Sequence, residues 1–322
     1  HSYWGAVIHF LLVFILSGVC LPAVLSGQSE QALLEKRIEG WRPLLRNDAW
    51  QAAADSCAAL VRALPPGAGL PVQALAWSLQ GSALRQGGRL DEALAAHQKA
   101  LGIRRRALGP AHEETANSLQ NIGNCLLDMG RHREAGKWFN EALRIKERIL
   151  GQGSPQLIPL YNSLGQYYRL EPDVEKAGIF LHRALQLAER RHGPTSPRLI
   201  NMLYGLAGVM DEQERADSAA ALLHRAYRIQ LDSTGRRHSM SVSLLSALGK
   251  TLTRQGRPEA GVQYLRQALA IADSLPDLSP RLRGECLLHL GNALFDLGDF
   301  AAAETVLRKA LDGLLSLPAE KA

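Results

Sequence analysis

The sequence predicts an all-α fold, a solenoid of antiparallel helix hairpins repeated every 42 residues. Three observations predict it. Six alanines, Ala100, Ala142, Ala184, Ala226, Ala268 and Ala310, recur without slippage. Columns of small and bulky residues at helical spacing share that period, and glycines followed by prolines punctuate it.

The second helix of the unit, helix B, is read from the alanines upstream. Seven residues before them stand Ala93, Ala135, Ala177, Ala219, Gly261 and Ala303, and between the two series lie His97, Phe139, Leu181, Leu223, Leu265 and Leu307. At 3.6 residues per turn, a small, large and small set with this spacing occupies one stripe.

Helix A carries Trp77, Leu119, Tyr161, Leu203, Leu245 and Leu287, then Leu84, Leu126, Tyr168, Met210, Leu252 and Leu294 seven residues later. Between them run Gly81, Gly123, Gly165, Ala207, Gly249 and Gly291. A glycine inside a helix costs about 1 kcal/mol relative to alanine, so glycines in register imply close approach of two helix axes.

Gly67, Gly109, Gly151, Gly193 and Gly235 fall where helix B should stop, and Pro110, Pro155, Pro194, Pro197 and Pro280 lie just beyond. That is a stop and restart signal. Six such units fill residues 68–322. Residues 28–67 read as a degenerate hairpin, with one helix near Glu30 to Arg46 and another near Ala49 to Leu64, where Trp50, Ala52 and Ala59 suit helix B.

A glycine on helix A opposite a small, large and small set on helix B resembles the tetratricopeptide repeat. The period resembles the longer variety found in kinesin light chains and in bacterial regulatory proteins. Ala116-Asn117-Ser118-Leu119-Gln120-Asn121-Ile122-Gly123 and Glu141-Ala142-Leu143-Arg144-Ile145 carry the likeness. It implies a right-handed superhelix with helix A on the concave side.

Residues 1–27 differ from the rest. The run Ala6 to Leu25 is charge-free and broken only by His9, Ser17, Gly18 and Pro22. It reads as a signal peptide, cleaved near Ser26 after Val24-Leu25, or as a retained membrane anchor. Leu16-Ser17-Gly18-Val19-Cys20 approaches a lipoprotein signal, but Val19 before the cysteine spoils it. The expected location is therefore exported, whether periplasmic, cell-surface or secreted, or membrane-anchored through residues 4–25.

Composition narrows the function. The 322 residues carry 37 basic and 31 acidic side chains, a net +6, which on a helical solenoid describes solvated outer faces such as Arg131, Arg133, Glu134, Lys137, Glu141 and Arg144. No basic cluster is interleaved with stacking aromatics, so nucleic acid is not the expected partner. Cys57, Cys125 and Cys286 lack motif spacing and read as small core residues. His182 and His224 stand one period apart in matching Leu-His-Arg-Ala segments, on the same face of successive units and not as converging metal ligands. His112 and His192 sit in or beside turns. No phosphate loop, cofactor motif or catalytic constellation is found, and the chain reads as a scaffold without catalysis.

The polar stripe of helix A is the candidate site. In the second unit Asn117, Gln120, Asn121, Asn124 and Asp128 follow steps of three and four residues. Asparagine is a poor helix former, so a stripe of it serves something else. The resemblance implies that such residues bind the backbone of an extended peptide. Carried onto matching positions, the candidates are Ser78, Ser82 and Arg85 in the first unit and Asn117, Gln120, Asn121 and Asn124 in the second. Asn162, Gln166 and Arg169 follow, then Asn201, Tyr204 and Asp211, then Ser246, Lys250 and Arg254, and last Asn292 and Asp296. Ala207 with Gly208 in the fourth unit, and Leu288 with Phe295 in the sixth, depart from the pattern.

The leading expectation is a scaffold that holds a peptide or protein segment in its groove. Two alternatives stand beside it. Only twelve residues follow Ala310, so the chain reads as the docking part of a longer protein, as in bacterial arrays that precede a CHAT peptidase or a signalling module. The other alternative is a scaffold that self-associates end to end.

Overall fold

The computed structural model describes residues 50–63, 69–276 and 278–315. The expected leader, residues 1–27, and the first helix of the degenerate hairpin lie outside these. Among the described residues the secondary structure is helical throughout, and no helix is long and apolar enough to cross a membrane. The chain divides into two compact units, His1–Ala107 and Leu108–Ala322.

The first unit contains α1 (Trp50–Ala63), α2 (Leu70–Gln86) and all but the last residue of α3 (Leu90–Leu108). The second contains α4 (Glu113–Asp128), α5 (His132–Leu150), α6 (Ile158–Leu170), α7 (Val174–His192), α8 (Ile200–Glu212), α9 (Ala216–Thr234), α10 (Ser239–Arg254), α11 (Pro258–Asp273), α12 (Pro280–Asp296) and α13 (Phe300–Leu315). Even-numbered helices from α2 onward are the A helices, and each packs against the B helix that follows it. Single 3-10 turns, Pro155–Leu157 and Pro197–Leu199, lead into α6 and α8.

Both turn types use left-handed backbone. After the B helices, Gly109, Gly151, Gly193 and Gly235 have φ of 87°, 72°, 85° and 78°. A second series sits between helices A and B, at Gly88, Gly130, Gly256 and Gly298, and the sequence reading had not singled it out. There the next residue's N–H reaches back to close the helix, as in Arg131 N–H to Leu126 C=O at 2.8 Å, a Schellman arrangement. In the fourth repeat Glu214 takes the same place at φ 59°, a conformation that disfavours a side chain.

The packing follows the columns. Ala100, Ala142, Ala184, Ala226 and Ala268 are fully buried, and Ala310 nearly so. Each glycine of helix A receives the bulky residue of its own helix B. A Cβ at Gly81 would lie 2.7 Å from the His97 ring, and one at Gly123 would lie 2.7 Å from Phe139. Gly165 meets Leu181, Gly249 meets Leu265 and Gly291 meets Leu307 in the same way. The glycines are thus sockets, which accounts for a residue that weakens helices recurring inside one. Tyr167 makes a further interlock, its hydroxyl filling the place of a side chain at Gly136 while its ring packs 5.9 Å from Phe139.

Candidate functional site

In the second unit the A helices lie side by side, and the polar stripe divides into two sets. The first stitches successive repeats together. Gln120 Nε2 donates to Ser163 Oγ at 3.5 Å, Arg169 Nη2 to Glu212 Oε1 at 3.1 Å, and Arg254 Nη1 to Asp211 Oδ2 at 2.7 Å. Ser246 Oγ stands 3.5 Å from His289 Nδ1. Every one of these pairs is 43 residues apart, one period plus one residue, so a column on one helix bonds to the adjacent column on the next. Lys250 Nζ also approaches Asp211 Oδ2, at 3.5 Å.

This stitching corrects the expectation for Gln120. It is buried, and its Oε1 accepts from the buried ammonium of Lys146 at 3.1 Å. Burial pushes the Lys146 pKa down, and the carboxylates of Glu113 and Glu114 work against that shift. Gln120 therefore ties α4, α5 and α6 together and offers nothing to a ligand. Ser78, Ser246 and Asp211 are buried as well. Asn117 is half-buried and donates to Glu114 Oε1 at 3.0 Å. Asn121, and Arg85 in the first unit, are half-buried.

The second set faces outward with its hydrogen-bonding capacity unspent. Asn124 and Asn162 are half-buried, while Gln166, Asn201 and Asn292 are exposed, and none of the five has a side-chain partner among the described residues. Asn124, Gln166 and Asn292 occupy one 42-residue column, completed by Gly208 and Lys250. Each amide presents donors and an acceptor, the complement of a peptide group. Tyr204 stands one turn from Gly208 with 40% of its surface exposed.

Two adjoining cavities open on this face. One, of about 160 Å³, lies over Gly208 and is walled by α6, α8, α10 and α12. The other, of about 390 Å³, runs between Lys250, Arg254, His289, Asn292 and Phe295. Beyond it the departures noted in the last repeat form an apolar surface, with Leu288 and Phe295 44% and 58% exposed and Phe295 edge-to-face with Phe300 at 5.2 Å.

Two histidines and the cysteines of the described residues take structural places. His112 and His238 cap α4 and α10, their Nδ1 atoms accepting the N–H of Glu114 and Met240 at 3.1 and 3.0 Å. His182 and His224 are exposed on B helices. Cys57, Cys125 and Cys286 are buried free thiols, and burial pushes the Cys57 pKa up to about 12, which leaves it unreactive. Among the described residues no three His, Cys, Asp or Glu side chains gather as a metal site.

The family profile for tetratricopeptide repeats matches residues 72–148, 156–232 and 240–316, each stretch spanning two hairpins. No curated protein matches the chain. Among solved structures, BtubC (BKLC) from P. vanneervenii is 19% identical, with a TM-score of 0.59 over 70% of this chain and 91% of that one. A putative kinesin light chain of Podosopora anserina with nearly identical TPR-like repeats is 17% identical, with a TM-score of 0.54 over 62% and 95%. NprR in complex with its cognate peptide NprX is 12% identical, with a TM-score of 0.61 over 87% and 78%. At these identities the likeness is one of fold.

Proposed function

Because this chain belongs to the tetratricopeptide repeat family, we propose that it is a binding module and not an enzyme, holding an extended peptide or protein segment against the A helices of its second unit. One observation carries the reading. Asn124, Gln166 and Asn292 stand in a single register, with Asn162 and Asn201 beside them, and their amides have no side-chain partner among the described residues. On a merely solvated face, long charged side chains would serve as well and would favour the helix more. A ladder of amides suits a ligand that presents alternating N–H and C=O groups. The structure solved with a bound peptide, NprR with NprX, has the same type of fold and agrees with this use.

Each amide contact contributes about 0.5–1.5 kcal/mol net, so affinity accumulates along several repeats. Tyr204, Lys250, Arg254 and Arg169 would add side-chain preference. The test is a selection of peptide binders from a displayed random 12-residue library, followed by affinity measurement on the full chain. Replacing Asn124, Asn162 and Gln166 together with alanine should weaken the selected peptides by about 2–4 kcal/mol, at least about thirtyfold in Kd. Helical circular dichroism should not change. Binders indifferent to the triple replacement would remove the groove reading.

A further inference from the structure

The last described hairpin, α12 with α13, carries its apolar departures in columns that inner repeats use to bind the next A helix. Leu288 stands in the column of Gln120 and Ser246, and Phe295 in that of Asp211. Those three residues reach the following A helix through Ser163, His289 and Arg254. In the last hairpin the same columns hold a leucine 44% exposed and a phenylalanine 58% exposed. On α13, Phe300 and Leu311 are 61% and 56% exposed, whereas Leu185, in the column of Leu311, is buried. A hairpin face that is turned to water is ordinarily polar. These four side chains expose roughly 400 Å², close to the apolar share of one side of a standard interface.

An open groove of about 490 Å³ runs from Phe295 and Phe300 to Leu307 and Leu311, and its charged lining is Glu304 and Arg308. Glu304 stands in a column that is Gly136, Gly178, Ala220 and Val262 in the inner B helices of the second unit. All four are buried, and the place of a side chain at Gly136 is filled by Tyr167 of the next A helix. A helix that occupies the corresponding place on α13 therefore meets a carboxylate and must bring a cation to it. Arg308, one turn on, donates through Nε and Nη2 to Glu304 Oε1 at 3.0 and 2.7 Å, and Oε2 has no partner among the described residues.

We propose that this face is filled by α13 of a second copy of the chain, in an antiparallel pair about a two-fold axis passing midway between Glu304 and Arg308. The second helix takes the place and direction that the next A helix has in the inner repeats. A two-fold interface is self-complementary, so each contact occurs twice. Glu304 Oε2 accepts from Arg308 of the second copy, and the reverse. Phe300 precedes Glu304 by four residues and Leu311 follows Arg308 by three, so the same axis sets Phe300 against Leu311 of the second copy. Leu307 meets its own counterpart. The required cation and apolar row are thus both present on α13 itself. The inference does not depend on the peptide-groove reading.

Sedimentation equilibrium of the full chain should show monomer and dimer in equilibrium. Glu304→Arg and Arg308→Glu each place like charges at both reciprocal contacts, and each should weaken the dimer at least about tenfold. Both exchange one exposed helix former for another, so circular dichroism should not change. Mixed one to one, the two variants should pair with each other, because each offers the charge that the other lacks. A chain carrying both replacements should dimerise as the parent does. A parent that stays monomeric at its highest soluble concentration would overturn the inference and leave the face to a helix of another protein. Association that neither replacement weakens would also overturn it and place the contact elsewhere, and folded variants that fail to pair on mixing would overturn the two-fold arrangement. Should a single reversal misfold, Phe300→Ala decides the matter, since it should weaken the dimer by a similar factor and an unchanged dimer would overturn the inference.

Discussion

His97 stands where the other repeats have Phe139, Leu181, Leu223, Leu265 and Leu307, and it makes the first hairpin acid-sensitive. Its ring fills the Gly81 socket, its exposure is 1%, and its Nδ1 is buried without a partner among the described residues. Burial, with the positive charges of Arg85 and Arg104, pushes its pKa down from 6.5 to about 3. Well above pH 6.5 the imidazole is neutral in folded and unfolded chains alike, and its titration takes nothing from stability. Below that pH the unfolded chain binds a proton that the folded one refuses, so stability falls with pH until the folded pKa is reached. One pKa unit corresponds to about 1.4 kcal/mol, so between pH 7 and pH 4.5 this single group removes roughly 2 to 3 kcal/mol. Carboxylates also titrate in this range, so the informative quantity is the difference from His97→Leu, which restores the residue type of the column. Urea midpoints followed by circular dichroism should show the variant at least as stable at pH 7 and gaining about 2 to 3 kcal/mol on the parent by pH 4.5. A parent-to-variant difference that stays flat across that interval would refute the reasoning.

Three further outcomes concern packing. Glu214→Gly should raise stability by roughly 1 kcal/mol, because the left-handed φ that costs a side chain about 1–2 kcal/mol is free for glycine, less its greater unfolded entropy; an unchanged thermal melt would contradict the turn assignment. Gly165→Phe and Ala184→Leu should each cost about 1–3 kcal/mol or more by overpacking the contact of α6 with α7, and a melt indifferent to both would contradict the socket. Gln120→Leu should cost about 2 kcal/mol by stripping the Lys146 ammonium of its acceptor, and adding Lys146→Met should recover most of the loss; equal stability of the single and double variants would show the bond to be idle.

The fold was legible in the sequence because each closed contact repeats at one interval. An alanine that must fit against a neighbouring helix and a glycine that must receive a leucine leave marks that survive in every repeat, and the structure fills each socket with the residue of the expected column. The A to B turns were less legible, since their glycine column is broken by Pro172 and Glu214. The polar face was legible only in part. A column of Asn, Gln, Gly, Lys and Asn shows where polar residues stand, but whether an amide is free or spent depends on what the next helix brings against it. Gln120 was spent on Lys146, and Asp211 on Arg254. A usable signal was present all the same, because Arg169 with Glu212 and Asp211 with Arg254 are opposite charges set one residue off the period. Pairs at that offset mark contacts between repeats, and what remains unpaired after they are removed is the available face. The cavity over Gly208 could not be read from the glycine alone, since a glycine in this chain marks either a socket or a gap.

The central claim is that the unpaired amides of the second unit hold a peptide backbone. The measurement that tests it most directly is the affinity of library-selected peptides for the full chain before and after joint replacement of Asn124, Asn162 and Gln166 with alanine. A loss of at least about thirtyfold, with the helical signal and melting temperature intact, is the predicted result. Undiminished affinity in a folded triple variant would contradict it.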